Sequence, residues 1–146
     1  MNSRMIRLFL TSLVLSLIPF SPRDLRAADA PTTQKSDEKA TTVKKINLAE
    51  FEKMKSDKNA VVLDVRTPRE FEAGHVPGAV NIDWHARDFA ERVSKLDKSK
   101  EYLIHCQAGV RSAAAAKAMS KMDFLHLYDY SGGWADYSKS GQPVEK

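Results

Sequence analysis

The chain has 146 residues, with 23 Lys or Arg against 19 Asp or Glu, a formal net charge of +4. No Lys/Arg cluster accompanies that excess, which argues against a nucleic-acid partner, and the length suits one core-bearing domain rather than two. Cys106 is the only cysteine, so an internal disulfide is excluded, and His75, His85 and His126 show no metal-ligand spacing, so no metal or other cofactor is expected.

Arg4 and Arg7 precede the apolar run LFLTSLVLSLIPF at residues 8–20, and RAADA follows it. A basic start, a short apolar core and a small-x-small exit predict a secretory signal peptide over residues 1–30. The run is shorter than the roughly 20 apolar residues that a membrane span needs. An uncleaved anchor is the alternative reading. Loss of residues 1–30 would leave 19 basic against 17 acidic residues, so much of the basic balance belongs to the leader. The expected location is periplasmic or secreted, without stable membrane association once the leader is cut. Cysteines in such oxidising surroundings usually pair, so a lone thiol there is either a liability or a tool.

Residues 31–44, PTTQKSDEKATTVK, are polar and lack apolar periodicity, predicting a flexible linker ahead of a domain over residues 45–144. INLAEFEKMKSD carries a cap candidate in Asn47 and apolar Leu48, Phe51 and Met54 at threefold spacing, predicting a short amphipathic helix. AVVLDVR, residues 60–66, reads as a strand covered on both faces. TPREFEAG has Thr67 as cap, Pro68 at the first helical position, Glu70 three residues after the cap, and a Gly74 stop. A short strand at residues 79–82, a helix at 87–96, a buried strand at 101–106 and an Ala-rich helix at 110–122 follow. FLHLYDYSGG supplies a last strand, and WADYSKSG a short closing helix. Strands alternating with helices imply right-handed crossovers, a mainly parallel sheet and helices on both faces. Ligands in such sheets bind beyond the carboxyl ends of strands, where Cys106 stands.

Gln107, Ala108, Gly109 and Val110 lie between Cys106 and Arg111. A segment curled around the sulfur would turn its backbone N–H groups inward as an anion nest, reinforced by the N-terminus of the Ala-rich helix. Gly109 permits torsions that a β-carbon resists, and Arg111 adds a forked charge at the rim or stiffens the loop. The same groups should depress the Cys106 pKa.

Three segments here resemble the rhodanese-like family: LDVRTPREFEAGHVPGAVNI, the loop IHCQAGVRS, and YDYSGGWADYSKSGQPVE. The resemblance spans residues 45–144. It implies a three-layer α/β fold on a five-stranded, mainly parallel sheet and a sulfurtransferase activity. Cys106 is by that likeness the nucleophile that carries sulfane sulfur as a persulfide, and residues 107–111 cradle the sulfur. The implied partners are a small anionic sulfur donor such as thiosulfate and a thiol or cyanide-like acceptor, with a protein acceptor as a further option. Cysteine phosphatases and arsenate-handling proteins place five residues before the arginine, whereas this loop has four and sets Ser112 at the phosphatase arginine's position. The tighter ring suits one extra sulfur atom better than a tetrahedral oxyanion. The alternatives are a non-catalytic sulfur-carrier or docking module and, behind it, a phosphatase or arsenate reductase.

Strand alternation sends His105 to the face opposite Cys106, in a supporting rather than catalytic role. The resemblance gives Asp64 and Arg66 the task of fixing the strand end. Trp84, His85 and Arg87 are read as a solvated loop around a half-buried Trp in preference to a pocket mouth, and Trp134 as core cover.

Overall fold

The computed structural model describes residues 41–146. The expected leader at residues 1–30, and the linker as far as residue 40, lie outside the described residues. Ten elements follow in the order β1 (Val43–Ile46), α1 (Leu48–Lys55), β2 (Ala60–Asp64), α2 (Pro68–Ala73), β3 (Val80–Asn81), α3 (Phe89–Ser94), β4 (Glu101–His105), α4 (Val110–Met119), β5 (His126–Tyr130) and α5 (Gly133–Tyr137). All five strands pair in parallel, in the spatial order β1-β5-β4-β2-β3.

The sheet begins earlier than the sequence pattern predicts. Val43 and Lys44, assigned to the linker, already pair with Leu127 and Tyr128 of β5. This is a four-residue edge strand, VKKI, with two exposed lysines and only Ile46 buried, so it lacks the alternation that marks a half-buried strand.

Local chemistry sets the short helices. Asn47 caps α1 by accepting from Glu50 N at 3.0 Å, while the Glu50 carboxylate accepts from Asn47 N at 3.1 Å. Thr67 and Glu70 make the same reciprocal box on α2, behind a proline that suits the first turn.

Two apolar clusters sandwich the sheet. On one face Leu63, Ile104, Leu127 and Cys106 pack with Phe89 and Val93 of α3 and with Ala115, Ala116 and Met119 of α4. Small side chains on α4 let the helix lie close to the strands. On the other face Val62, Leu103 and Tyr130 pack with Phe51 of α1 and Tyr137 of α5, the Phe51 and Tyr130 rings stacking at 4.6 Å. Burying such side chains stabilises the fold by about 1.5–3 kcal/mol each.

The central strand β4 alternates strictly. Tyr102, Ile104 and Cys106 face α3 and α4, while Leu103 belongs to the opposite cluster and His105 lies edge-on to Phe51 at 6.2 Å. The chain leaves β2 through α2 to reach β3 on one side, and leaves β4 through α4 to reach β5 on the other. The carboxyl ends of β2 and β4 therefore flank the crevice where strand order reverses.

Candidate active site

Cys106 directly follows β4 and is 1% exposed. The chain then turns through Gln107, Ala108 and Gly109 into α4. Gly109 caps that helix in the left-handed conformation, φ +86°, and a β-carbon there would stand 2.6 Å from the Ser131 carbonyl oxygen. Only glycine fits both the torsion and the space. No side chain caps α4, so the N–H groups of its first turn remain free to address an anion.

Those groups converge on the sulfur. Gly109 N–H donates to Cys106 Sγ at 3.2 Å. Burial pushes the Cys106 thiol up, but the N–H groups of Ser112, Ala108 and Arg111 and the Ser112 hydroxyl outweigh it, and the net shift is downward. A preorganised set of main-chain donors at a ten-residue helix favours the thiolate.

The loop's carbonyls are turned outward and held. Trp134 N–H donates to Cys106 O at 2.7 Å and Ala135 N–H to Gln107 O at 3.0 Å, both from the start of α5. Gly133, at φ +59°, lies so close to Cys106 O that a β-carbon there would collide with it. The Gly-Gly-Trp turn thus fixes which side of the loop peptide units faces the sulfur.

Of the expected cradle, residues 107–111, Ala108, Gly109 and Arg111 present amides to the sulfur. Gln107 contributes its carbonyl to the α5 contact, and Val110 projects into solvent at 80% exposure. The Arg111 guanidinium meets Glu70 fork to fork, Nη1 to Oε2 at 2.8 Å and Nη2 to Oε1 at 2.7 Å. That pair pushes Arg111 further up and holds the Glu70 carboxyl down at about 2, with burial opposing both shifts. Arg111 therefore clamps the loop to α2 across the crevice.

Sequence reasoning missed the roles of three residues. Glu70 stands out only as a capping residue, yet it closes the clamp. Ser112 marks the loop's short length, but its side chain is fully buried and bonds Asp129 Oδ1 at 2.6 Å. Asp129 had a signal that went unread, an acid inside the apolar strand HLYDY.

The neighbouring strand end is braced by buried charge. Arg66 Nε lies 3.0 and 2.9 Å from the two Asp64 oxygens, its Nη2 donates to Asp64 Oδ2 at 2.6 Å and to Gly74 O at 2.9 Å, and its guanidinium stacks 4.6 Å above the Trp134 ring. Asp64 and Arg66 thus have the supporting role expected of them. His105 is fully buried with Nε2 3.7 Å from Asp64 Oδ2, and burial pushes its pKa down. Trp84 is half-buried edge-on against Phe89 at 4.9 Å, while His85 and Arg87 are exposed. Among the described residues no cluster of three metal-ligating side chains occurs.

Comparison with known proteins agrees with this geometry. A family model described as "Rhodanese-like domain" matches residues 47–140. The chain is 34% identical over 104 residues to YrkF of Bacillus subtilis, a candidate sulfur carrier protein by its name, covering 70% of this chain and 55% of that protein. It is 36% identical over 93 residues to thiosulfate sulfurtransferase 16, chloroplastic, of Arabidopsis thaliana, covering 57% of this chain and 78% of that one. The chain thus spans about half the length of YrkF. Among solved structures, a rhodanese-related protein of Thermoplasma volcanium superposes with a TM-score of 0.60 at 29% identity, over 70% of this chain and 97% of that one.

Proposed function

Because the chain belongs to the rhodanese-like domain family, we propose that it is a sulfurtransferase that carries sulfane sulfur as a persulfide on Cys106. The observation that carries this reading is the convergence of main-chain N–H groups on the one cysteine at the end of β4. They favour a thiolate at rest and then a negatively charged outer sulfur one atom further out.

The reaction is two displacements. The Cys106 thiolate attacks the outer sulfur of an anionic donor such as thiosulfate; the donor's S–S bond breaks and sulfite departs with the electron pair. A thiophilic acceptor, a thiol or cyanide, then attacks the outer sulfur of Cys106–S–S⁻ and returns the thiolate. Ping-pong kinetics follow. Sulfite is a stable anion, so the leaving group needs no proton, and the Arg111 guanidinium near Cys106 supplies charge rather than a proton. Electrostatic support comes from fixed amides that need no rearrangement during the reaction. The leader sequence read over residues 1–30 supports a periplasmic or secreted setting for this chemistry.

Mass spectrometry tests the proposal. Thiosulfate should add about 32 Da to Cys106, and cyanide should remove it as thiocyanate, as the covalent mechanism requires. Equal thiocyanate production by wild type and Cys106→Ser would refute it. The carrier reading is favoured by the likeness to YrkF. It predicts that Cys106 accepts one sulfur but does not turn over when donor and cyanide are both in excess.

A further inference from the structure

Arg111 stands in the first turn of α4, yet its forked end is closed before any donor arrives. Nη1 and Nη2 both donate to the Glu70 carboxylate, at 2.8 and 2.7 Å, in the two-pronged geometry that a guanidinium offers to an oxyanion. Glu70 is held there from behind, because its Oε2 also accepts from Thr67 N–H at 3.0 Å and from Thr67 Oγ1–H at 2.7 Å. The carboxylate cannot swing aside without opening the box that starts α2.

We propose that Glu70 is a positioning residue that selects the sulfur donor: by closing the Arg111 fork it denies an oxyanion donor its cation, so the site prefers an organic persulfide whose leaving thiol carries no negative charge.

The pair stands where a donor must enter. Helix α2 follows β2 and Cys106 follows β4, and these strands are neighbours whose last residues, Asp64 and His105, are in register. The Arg111 and Glu70 side chains are 19% and 33% exposed, within reach of a ligand but sheltered enough to limit screening by salt. Other cations of the flanking segments do not replace Arg111. Arg66 is buried against Asp64, while Arg69 of α2 and Arg87 before α3 are exposed, where solvent and salt screen them.

Thiosulfate is a dianion. To reach the Arg111 fork, its sulfonate end must replace one carboxylate by another anion, with no net gain in hydrogen bonds, and leave the Glu70 charge facing its own. It still reacts, but at high concentration. The organic part of an alkyl persulfide meets neither obstacle. In that transfer the Cys106 thiolate attacks the outer sulfur of R–S–SH; the S–S bond breaks, R–S⁻ leaves with the electron pair, and Cys106–S–SH forms. The inference rests on the sulfur-transfer reading for the identity of the donor, but closure of the fork is tested without sulfur transfer.

The probe is sulfate, an oxyanion with no sulfur to give. Alkylation of Cys106 by iodoacetamide is followed against sulfate concentration, with chloride holding the ionic strength constant, and the protection gives an apparent Kd. Glu70→Gln suits the test because glutamine also completes a capping box. It should bind sulfate at least about tenfold tighter than the wild type, the range for one hydrogen bond to a charged group. In an Arg111→Gln background the same change should lose most of that gain. Equal affinity in wild type and Glu70→Gln would overturn the proposal, as would a gain that survives without Arg111. Should Glu70→Gln fail to fold, Glu70→Asp, whose shorter side chain opens the fork, decides: tighter sulfate binding supports the proposal and unchanged binding refutes it.

Sulfur loading of Cys106, followed by mass spectrometry, then separates selection from support of the loop. The wild type should half-saturate at a lower concentration of ethyl persulfide than of thiosulfate, and Glu70→Gln should lower the thiosulfate value more than it changes the limiting rate. A shift by the same factor for both donors would mark a purely structural role and refute the selection. Protein that gains sulfate affinity but takes sulfur from neither donor would reject the sulfur-transfer reading and leave the closed fork standing.

Discussion

Arg111 and Glu70 are 41 residues apart in the chain and meet through two parallel hydrogen bonds of 2.8 and 2.7 Å. Glu70 also accepts from Thr67 N–H and Oγ1–H, so one carboxylate both starts α2 and anchors the loop around Cys106. Glu70→Gln should therefore weaken two structures at once, by about 2 kcal/mol at neutral pH, the range for hydrogen bonds to charged groups. The pH dependence fixes the cause. Arg111 lowers the Glu70 carboxyl from 4.5 to about 2 in the folded state, so the unfolded chain binds the proton first. The contribution is complete above 4.5 and fades as pH falls toward 2. Urea unfolding of both proteins should show their gap closing across that window, and a constant gap would refute the clamp.

Arg66→Ala leaves the Asp64 carboxylate buried without its partner. Both side chains are at most 1% exposed, and breaking such a pair from one side costs about 3–5 kcal/mol. The variant also loses the stack on Trp134 and the bond to Gly74 O. Thermal unfolding should show a large drop, and Asp64→Asn/Arg66→Met should recover part of it. A drop no greater than that of a surface Arg→Ala control would count against the brace.

Gly109→Ala places a β-carbon against the Ser131 carbonyl at a left-handed φ. Strain of this kind costs about 1–3 kcal/mol. The loop should relieve it by turning the residue 109 amide away from Sγ, so the thiolate midpoint should rise along with the loss of stability. Spectroscopic titration of the folded variant checks this, and an unchanged midpoint would remove Gly109 N–H from the set of donors that matters.

His105 introduces a separate acid sensitivity. Burial holds its folded pKa below the ordinary 6.5, against a pull upward from Asp64. Between the two values the unfolded state binds more protons, so stability rises with pH through that window and falls as pH drops below 6.5. His105→Phe, which keeps an aromatic ring against Phe51, should flatten the stability curve as pH falls below 6.5. Parallel curves for the two proteins would contradict the assignment.

The sequence was most readable where one residue type can satisfy a local demand. Thr67-Pro68 with Glu70 announces α2, and Cys106 ahead of Gly109 and an Ala-rich run announces a strand, a nest and a helix. Alternation along β4 placed His105 and Cys106 on opposite faces. What stayed hidden depends on contacts between distant segments. The lysines of β1 conceal a strand whose existence depends on β5, 84 residues later. Glu70 shows a complete local role, which masks its second role toward Arg111. Asp129 acquires meaning only when α4 lies over β5 and brings Ser112 to it.

The Cys106 and Gln107 carbonyls are secured by amides of residues 134 and 135, close to the end of the family-like region. A growing chain that has not yet produced this turn has nothing to orient the peptide units around its sulfur. Between the synthesis of Cys106 and that of residues 134 and 135 the thiol is thus an ordinary, weakly acidic one, and its lowered pKa is acquired only once the turn is in place. The fold delays the appearance of its own most reactive atom until there is a structure to contain it.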